Sequence, residues 1–263
     1  MSRSEEARGP VAESYLMLAE RARNEAARRR WARAGLRLAT HKETSFLLLE
    51  QLFRADFRES RYEDAREAAR AMVGLAMLTD AAHARAAAAE LALGNAEAAE
   101  KELRQAAAVA PGQRRAFHLW SLGAFLHMQG RLAEALAAFT RSERIDARPL
   151  TRAHAAVVRC ALGEPPAHLA QIAEELEVDP GHEGYGAFLL GLIYAELGDA
   201  ARSRRELQEF LRRSAEDPLE RGVTRRSARA MARARLGPAR ARPERSEVAR
   251  GRVIPLRTAR RAR

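Results

Sequence analysis

Five turn residues fall at nearly equal intervals along the chain, and this spacing constrains the fold more than any other feature. Ser60, Gly94, Gly130, Gly163 and Gly198 are separated by 34, 36, 33 and 35 residues. Each is flanked by stretches whose apolar residues recur at helical spacing, so each marks the turn of a helical hairpin. One such hairpin has an apolar face that it cannot bury alone. Copies in phase bury it by stacking, which gives an all-α, quasi-one-dimensional solenoid. Composition agrees: 58 of the 263 residues are alanine and only 5% are aromatic, which favours helix over strand.

The residues around the turns repeat as well as the turns. Leu119, Leu122, Gly123 and Leu126 precede Gly130, and Ala135 and Phe139 follow it. Ala187, Leu190, Gly191 and Tyr194 precede Gly198, followed by Ser203 and Leu207. Ala99, Leu103 and Ala106 lie in the second helix of the Gly94 unit, which Pro111 closes; Pro180 closes the Gly163 unit. With these residues at this period, segment 46–215 resembles the tetratricopeptide repeat family. The resemblance implies an α-solenoid of about five hairpins. Gly123, Gly191, Ala135 and Ala99 would let paired helices approach, while Leu122, Phe139, Leu190 and Leu207 fill the space between them. Ser60 with Glu63 predicts a capping box, and Asn95 and Asp199 stand at N-cap positions.

The ends depart from the repeat. Residues 1–10 are expected to be disordered. Residues 11–45 read as N-terminal helices forming a degenerate repeat, with Leu16, Leu18, Trp31, Leu36 and Leu38 as apolar positions. Residues 216–236 read as a capping helix begun by Asp217-Pro218, with Leu219, Val223, Ala230, Met231 and Ala234 as its stripe, and stopped at Gly237-Pro238. Residues 237–263 read as a disordered, Arg-rich tail. The net charge of +11 is unevenly placed: residues 219–263 hold 15 Arg against Glu220, Glu244 and Glu247, or +12, which leaves −1 for residues 1–218. Arg240, Arg242, Arg245, Arg250, Arg252, Arg257, Arg260, Arg261 and Arg263 could therefore contact nucleic acid or an anionic surface without sequence preference. They could equally form a solubilising extension, since 44 of the 46 basic residues are Arg, as a GC-rich genome would encode.

Signatures of catalysis are missing from the sequence. There is no P-loop, no H-E-x-x-H, no G-x-S-x-G and no Cys/His cluster. The glycine run from Gly181 to Gly186 lacks a preceding strand and reads as a turn between repeats. His118 and His127 share a helix but stand nine residues apart, unsuited to one metal. Cys160, the single cysteine, excludes an internal disulfide and reads as a small buried hydrophobe. The longest uncharged apolar run, residues 184–195, is too short to cross a membrane. The expectation is a bacterial, cytoplasmic, non-enzymatic protein with no cofactor and no metal.

Binding is the function left, and the resemblance says where. In tetratricopeptide proteins the first helix of each unit lines the concave face. That implies a partner groove of Leu47, Glu50, Arg54, Phe57 and Arg58 from the first unit and Ala81, Ala84, Ala88 and Leu91 from the second. Phe117, Trp120, Ala124, His127 and Met128 follow from the third, Leu150, Ala153, Val157 and Cys160 from the fourth, and Tyr185, Phe188 and Leu192 from the fifth. This apolar floor suits an amphipathic helix or an extended apolar peptide of a partner protein, so the chain reads as an adaptor or scaffold. The basic residues with which family members clamp acidic C-terminal tails are largely absent. Two other readings stand beside it: a nucleic-acid-associated protein acting through the tail, and a chaperone like those of type III secretion. Ile145-Asp146, Pro149, His154-Ala155-Ala156 and Cys160 resemble a segment of that chaperone family over about one repeat. The groove could also be filled by the chain itself, from the N-terminal helices or from Val253-Ile254-Pro255-Leu256.

Overall fold

A computed structural model describes residues 3–179, 184–216 and 223–237. Within them lie thirteen helices and no strand. Two helices lead in, α1 (Arg3–Glu20) and α2 (Glu25–Leu36). Five hairpins follow: α3 (Lys42–Arg58) with α4 (Tyr62–Gly74), α5 (Thr79–Leu93) with α6 (Ala96–Val109), α7 (Gly112–Met128) with α8 (Leu132–Ile145), α9 (Pro149–Ala161) with α10 (Leu169–Val178), and α11 (Tyr185–Glu196) with α12 (Ala200–Glu216). A last helix, α13 (Val223–Leu236), completes the described chain. Each helix packs on the next along the sequence, as a solenoid requires.

The five turns share one backbone device. Ser60, Gly94, Gly130, Gly163 and Gly198 all take positive φ, at 61°, 86°, 74°, 81° and 79°. In each, the residue after the turn donates its N–H to a carbonyl five residues back: Arg61 to Asp56, Asn95 to Glu90, Arg131 to Leu126, Glu164 to Arg159 and Asp199 to Tyr194, at 2.8–3.0 Å. This is the left-handed helix C-cap that glycine favours. Ser60 takes the same φ with a side chain, at a cost of about 1–2 kcal/mol. Ser60→Gly is therefore expected to stabilise the chain by about 0.5–1 kcal/mol, the gain being reduced by glycine's larger loss of chain entropy. A melting curve checks it, and an unchanged or lower Tm would remove the strain argument.

Ser60 is spent on the turn, so the expected capping box with Glu63 does not form; Arg61 is the N-cap of α4 and makes no side-chain cap bond. Asn95 likewise makes no cap bond and turns its amide to the buried Glu90 carboxylate at 2.7 Å. Asp199 does cap, accepting from the N–H of Arg202 at 3.0 Å.

Close approach within hairpins rests on two glycines. A Cβ on Gly123 would sit 2.7 Å from the Phe139 ring, and one on Gly191 would sit 2.6 Å from Leu207. Both partners are fully buried. Serines on the second helices tie the same pairs, Ser142 Oγ donating to the Ala116 carbonyl and Ser203 Oγ to that of Gly191, each at 2.7 Å.

The ends differ from expectation in two respects. Helix α1 begins at Arg3 and carries Pro10 inside it, so most of the segment expected to be disordered is helical. It packs on α2: Tyr15 stacks on Trp31 at 5.8 Å, and a Cβ added to Gly35 would meet Tyr15 Cβ at 3.0 Å. At the other end, the buried stripe of α13 is Ala228 and Ala232 with Met231 half-buried, whereas Ala230 and Ala234 are exposed. The stripe expected through Ala230 and Ala234 is thus buried two positions earlier, at Ala228 and Ala232; Asp217-Pro218 and Leu219 lie outside the described residues. The tail arginines from Arg240 onward and Val253-Ile254-Pro255-Leu256 also lie outside them. Helix α13 packs on α12 and reaches α7 and α5, the first helices of units three and two. It thus crosses the inner side of the stack.

Candidate functional site

The inner side carries one sizeable apolar cavity, of about 410 Å³, where α7 passes the start of α9 and α11. Six residues expected from the repeat register line it: Leu91, Phe117, Trp120, Ala124, Leu150 and Tyr185. Helical spacing explains the set from α7, since 117, 120, 121 and 124 share one face. Ala124 is small, which leaves the space that the larger residues surround. Its walls carried no repeat signal: Leu103 and Ser142 come from second helices, Asp146 and Arg148 from the link into α9, and Thr151 from the first turn of α9. Pro149 at the first position of α9 holds that link extended, and Asp146 and Arg148 pair across it at 2.5 Å. Pro149 together with Asp146, which ends α8, was the signal available in the sequence.

Phe117 stands at the mouth, 52% exposed. It stacks on Trp120 at 6.2 Å, and Trp120 meets Tyr185 edge-on at 5.5 Å. Trp120 is half-buried, and its Nε1 is buried with no hydrogen-bond partner within the protein. An indole N–H normally finds an acceptor, so this donor is enclosed at a cost.

Beneath the cavity lies a histidine pair. His127 Nδ1 and His154 Nε2 are 2.9 Å apart, and both rings are buried. His154 packs on Phe139 at 4.3 Å, Tyr185 at 5.6 Å and Trp120 at 5.9 Å. Burial drives both imidazoles toward the neutral form: His127 is pushed down to about 4, with the charge of Arg235 adding to the effect, and His154 lies well below the usual range, with His127 adding to burial. One neutral ring therefore donates to the other. Because His154 Nδ1 has no partner, the less costly tautomer has His154 Nε2–H donating to His127 Nδ1, which leaves an orphan acceptor rather than an orphan donor. Nearby, the buried Asp80 carboxylate holds His118 Nε2 and Arg114 Nε, each at 3.2 Å, and ties the start of α5 to α7. Burial, opposed by Asp80, lowers the affinity of His118 for a proton.

The other expected groove residues are not joined to this cavity. Phe188 is fully buried against Phe210 at 5.1 Å and is a core residue rather than a surface anchor. Ala153 is likewise fully buried. His127, Val157 and Leu192 line a separate cleft of about 240 Å³ together with Met231 and Arg235 of α13. Met128 and Cys160 are half-buried in the core that includes α13, and burial, with Glu196 adding to it, pushes the Cys160 thiol up. In unit one, Phe57 is buried against Phe53 at 5.3 Å, Leu47 is 44% exposed, and Arg54 is half-buried. Arg58 and Glu50 are engaged in ion pairs with Glu25 at 3.0 Å and Arg85 at 2.7 Å. Ala81 and Ala88 are half-buried in the first core, and Ala84 is half-buried as well. One continuous groove is thus replaced by an open cavity and a covered half.

Solved structures share this architecture. A tetratricopeptide repeat protein of Parabacteroides merdae superposes with a TM-score of 0.57 at 14% identity, over 88% of this chain and 91% of its own. The chain has the tetratricopeptide-repeat fold. The structure of pilF from Pseudomonas aeruginosa superposes with a TM-score of 0.58 at 15% identity, covering 82% of this chain and 97% of that one. No protein-family model and no curated protein sequence matches it. At these identities the tetratricopeptide likeness concerns the fold. Among the described residues no helix is long and apolar enough to cross a membrane.

Proposed function

We propose that this tetratricopeptide-repeat chain is a non-enzymatic interaction module that holds an apolar segment of a partner protein in the cavity beneath Phe117. The observation that carries the reading is an exposed phenylalanine over an apolar cavity, with the Trp120 N–H buried and unsatisfied beside it. A peptide supplies apolar side chains for the cavity and a cover for the Phe117 ring. Covering the exposed half of Phe117 removes about 100 Å² of apolar surface from water, worth about 2–3 kcal/mol. That is enough for one residue to dominate a modest interface.

Phe117 is the residue to test. Trp120 joins two core clusters, so Trp120→Ala would cost stability as well as binding and would confuse the two. Phe117→Ala is expected to change stability by less than about 1 kcal/mol, because the ring is half in water. Peptides selected on the immobilised wild-type chain from a random displayed library should lose at least tenfold in affinity for Phe117→Ala, since about 1.4 kcal/mol corresponds to tenfold. Selected peptides that bind both chains equally would place the partner elsewhere.

A further inference from the structure

Helix α13 is fastened unlike any hairpin in the stack. Within α11 and α12 the backbones approach so closely that Gly191 has no room for a methyl group. Around α13 two clefts remain, although Met231 and Leu236 rest on the core that holds Val157 and Leu192. A cleft of about 240 Å³ is lined by Met231 and Arg235 together with His127, Val157 and Leu192. A second, of about 310 Å³, lies between Arg235, Leu236 and the turn joining α11 to α12. Among the described side chains of α13 the fully buried ones are the alanines Ala228 and Ala232, four apart on one face. Two of its polar ties are long: Arg235 Nη1 stands 3.8 Å from Glu196 Oε1, and Arg229 Nη1 donates to the Ser214 carbonyl at 3.4 Å. Arg229 Nε is buried with no partner, so the docked position also leaves a donor unsatisfied. Clefts, small contact residues and unmet donors are the features of an element that opens locally while the rest stays folded.

What α13 covers gives that opening a meaning. It crosses from α12 to α7 and α5, so it sits where a ligand of the solenoid's inner face would sit. We propose that α13 is a releasable strap: a resident, low-affinity occupant of the inner-face site over His127, Val157 and Leu192, which lifts to admit a helix of the same pattern in trans. The entering helix would present alanine-sized residues four apart with a longer apolar residue beside them, as Ala228, Ala232 and Met231 do. Arginine would face Glu196, the acidic group beside the strap's C-terminal end. This second site is separate from the cavity under Phe117, and either can fail without the other.

The test uses the full chain and a fluorescent peptide of residues 223–237 as the probe. Ala232→Glu forces a carboxylate into a fully buried position and should unseat the strap. The peptide is expected to bind the Ala232→Glu chain at least tenfold more tightly than wild type, with the Tm of the variant within a few degrees of wild type. Equal binding to both chains would overturn the proposal, and so would collapse of the whole solenoid in the variant, since α13 would then be integral to the stack. Hydrogen exchange on the wild-type chain is an independent check. Amides of α13 should be at least a hundredfold less protected than those of α11 and α12 and insensitive to low denaturant. Protection equal to that of α11 would also end it.

Discussion

Between pH 7 and pH 5 the folded chain is expected to lose about 4 kcal/mol of stability from one buried pair, His127 and His154. An unfolded histidine takes up its proton near pH 6.5, whereas burial holds His127 neutral down to about 4 and His154 well below its usual range. The unfolded state therefore binds more protons throughout that interval. Stability is full above about pH 7 and falls by about 1.4 kcal/mol per pH unit for each ring as the pH drops below 6.5. Asp56, whose carboxyl is raised by burial, titrates in the opposing sense, and the lowered carboxylates Glu25 and Glu100 act only below this window. Chemical denaturation at pH 7, 6 and 5 reads the slope directly. The double variant His127→Leu with His154→Leu should lose most of it. A wild-type chain equally stable at pH 7 and pH 5 would show that water reaches the pair.

Gly191→Leu is expected to destabilise by about 3 kcal/mol or more. The added Cβ alone would meet Leu207 Cδ2 and Cγ at 2.6 Å and the Leu207 backbone nitrogen at 3.2 Å. Leu207 is 1% exposed and cannot turn aside. The carbonyl of Gly191 also receives the Ser203 hydroxyl, so separating the helices breaks that bond as well. Removing a mid-helix glycine returns about 1 kcal/mol of helix propensity, which the clash exceeds. Gly74 supplies the control. An added Cβ there meets nothing within 4 Å, so Gly74→Ala should be neutral or mildly stabilising. If Gly191→Leu melted with wild type, α11 and α12 would not pack as described.

Turn chemistry made the solenoid legible, because a left-handed C-cap leaves a local signature. Gly94, Gly130, Gly163 and Gly198 mark it directly, and Ser60 could be placed by period even with the wrong residue in the position. Close approach was legible too, since Gly123 and Gly191 each stand where a bulky partner, Phe139 or Leu207, must fit. The site was legible only in part. Helical spacing identifies which residues share a face but not what lies over that face. Phe117 and Phe188 look alike in the repeat register, yet one is half in water and the other is enclosed by Phe210 from the following helix. The register of α13 was misjudged for the same reason: alanines stand on several of its faces, so Ala230 and Ala234 look as apt for the stripe as Ala228 and Ala232. The tertiary contact with Ala228 and Ala232 decides it. The histidine pair was read as two unrelated residues because His154 comes from the next unit, 27 positions after His127.

A stack of hairpins is also a spring. Each unit tilts on its neighbour by a small amount, and the tilts add along the array so that pulling on its ends lengthens it with little resistance. Helix α13 alters that arithmetic. It is joined to α12 and rests on α7 and α5, so it bridges the last unit to the second and third across the inside of the coil. While it is seated, units two to five are shunted and move as a block, and the compliance of the molecule is confined to the helices before them. Pitch, and with it the curvature of the inner face, is then set by one Arg-rich helix resting on Ala228, Ala232, Met231 and Leu236 rather than by the repeats themselves.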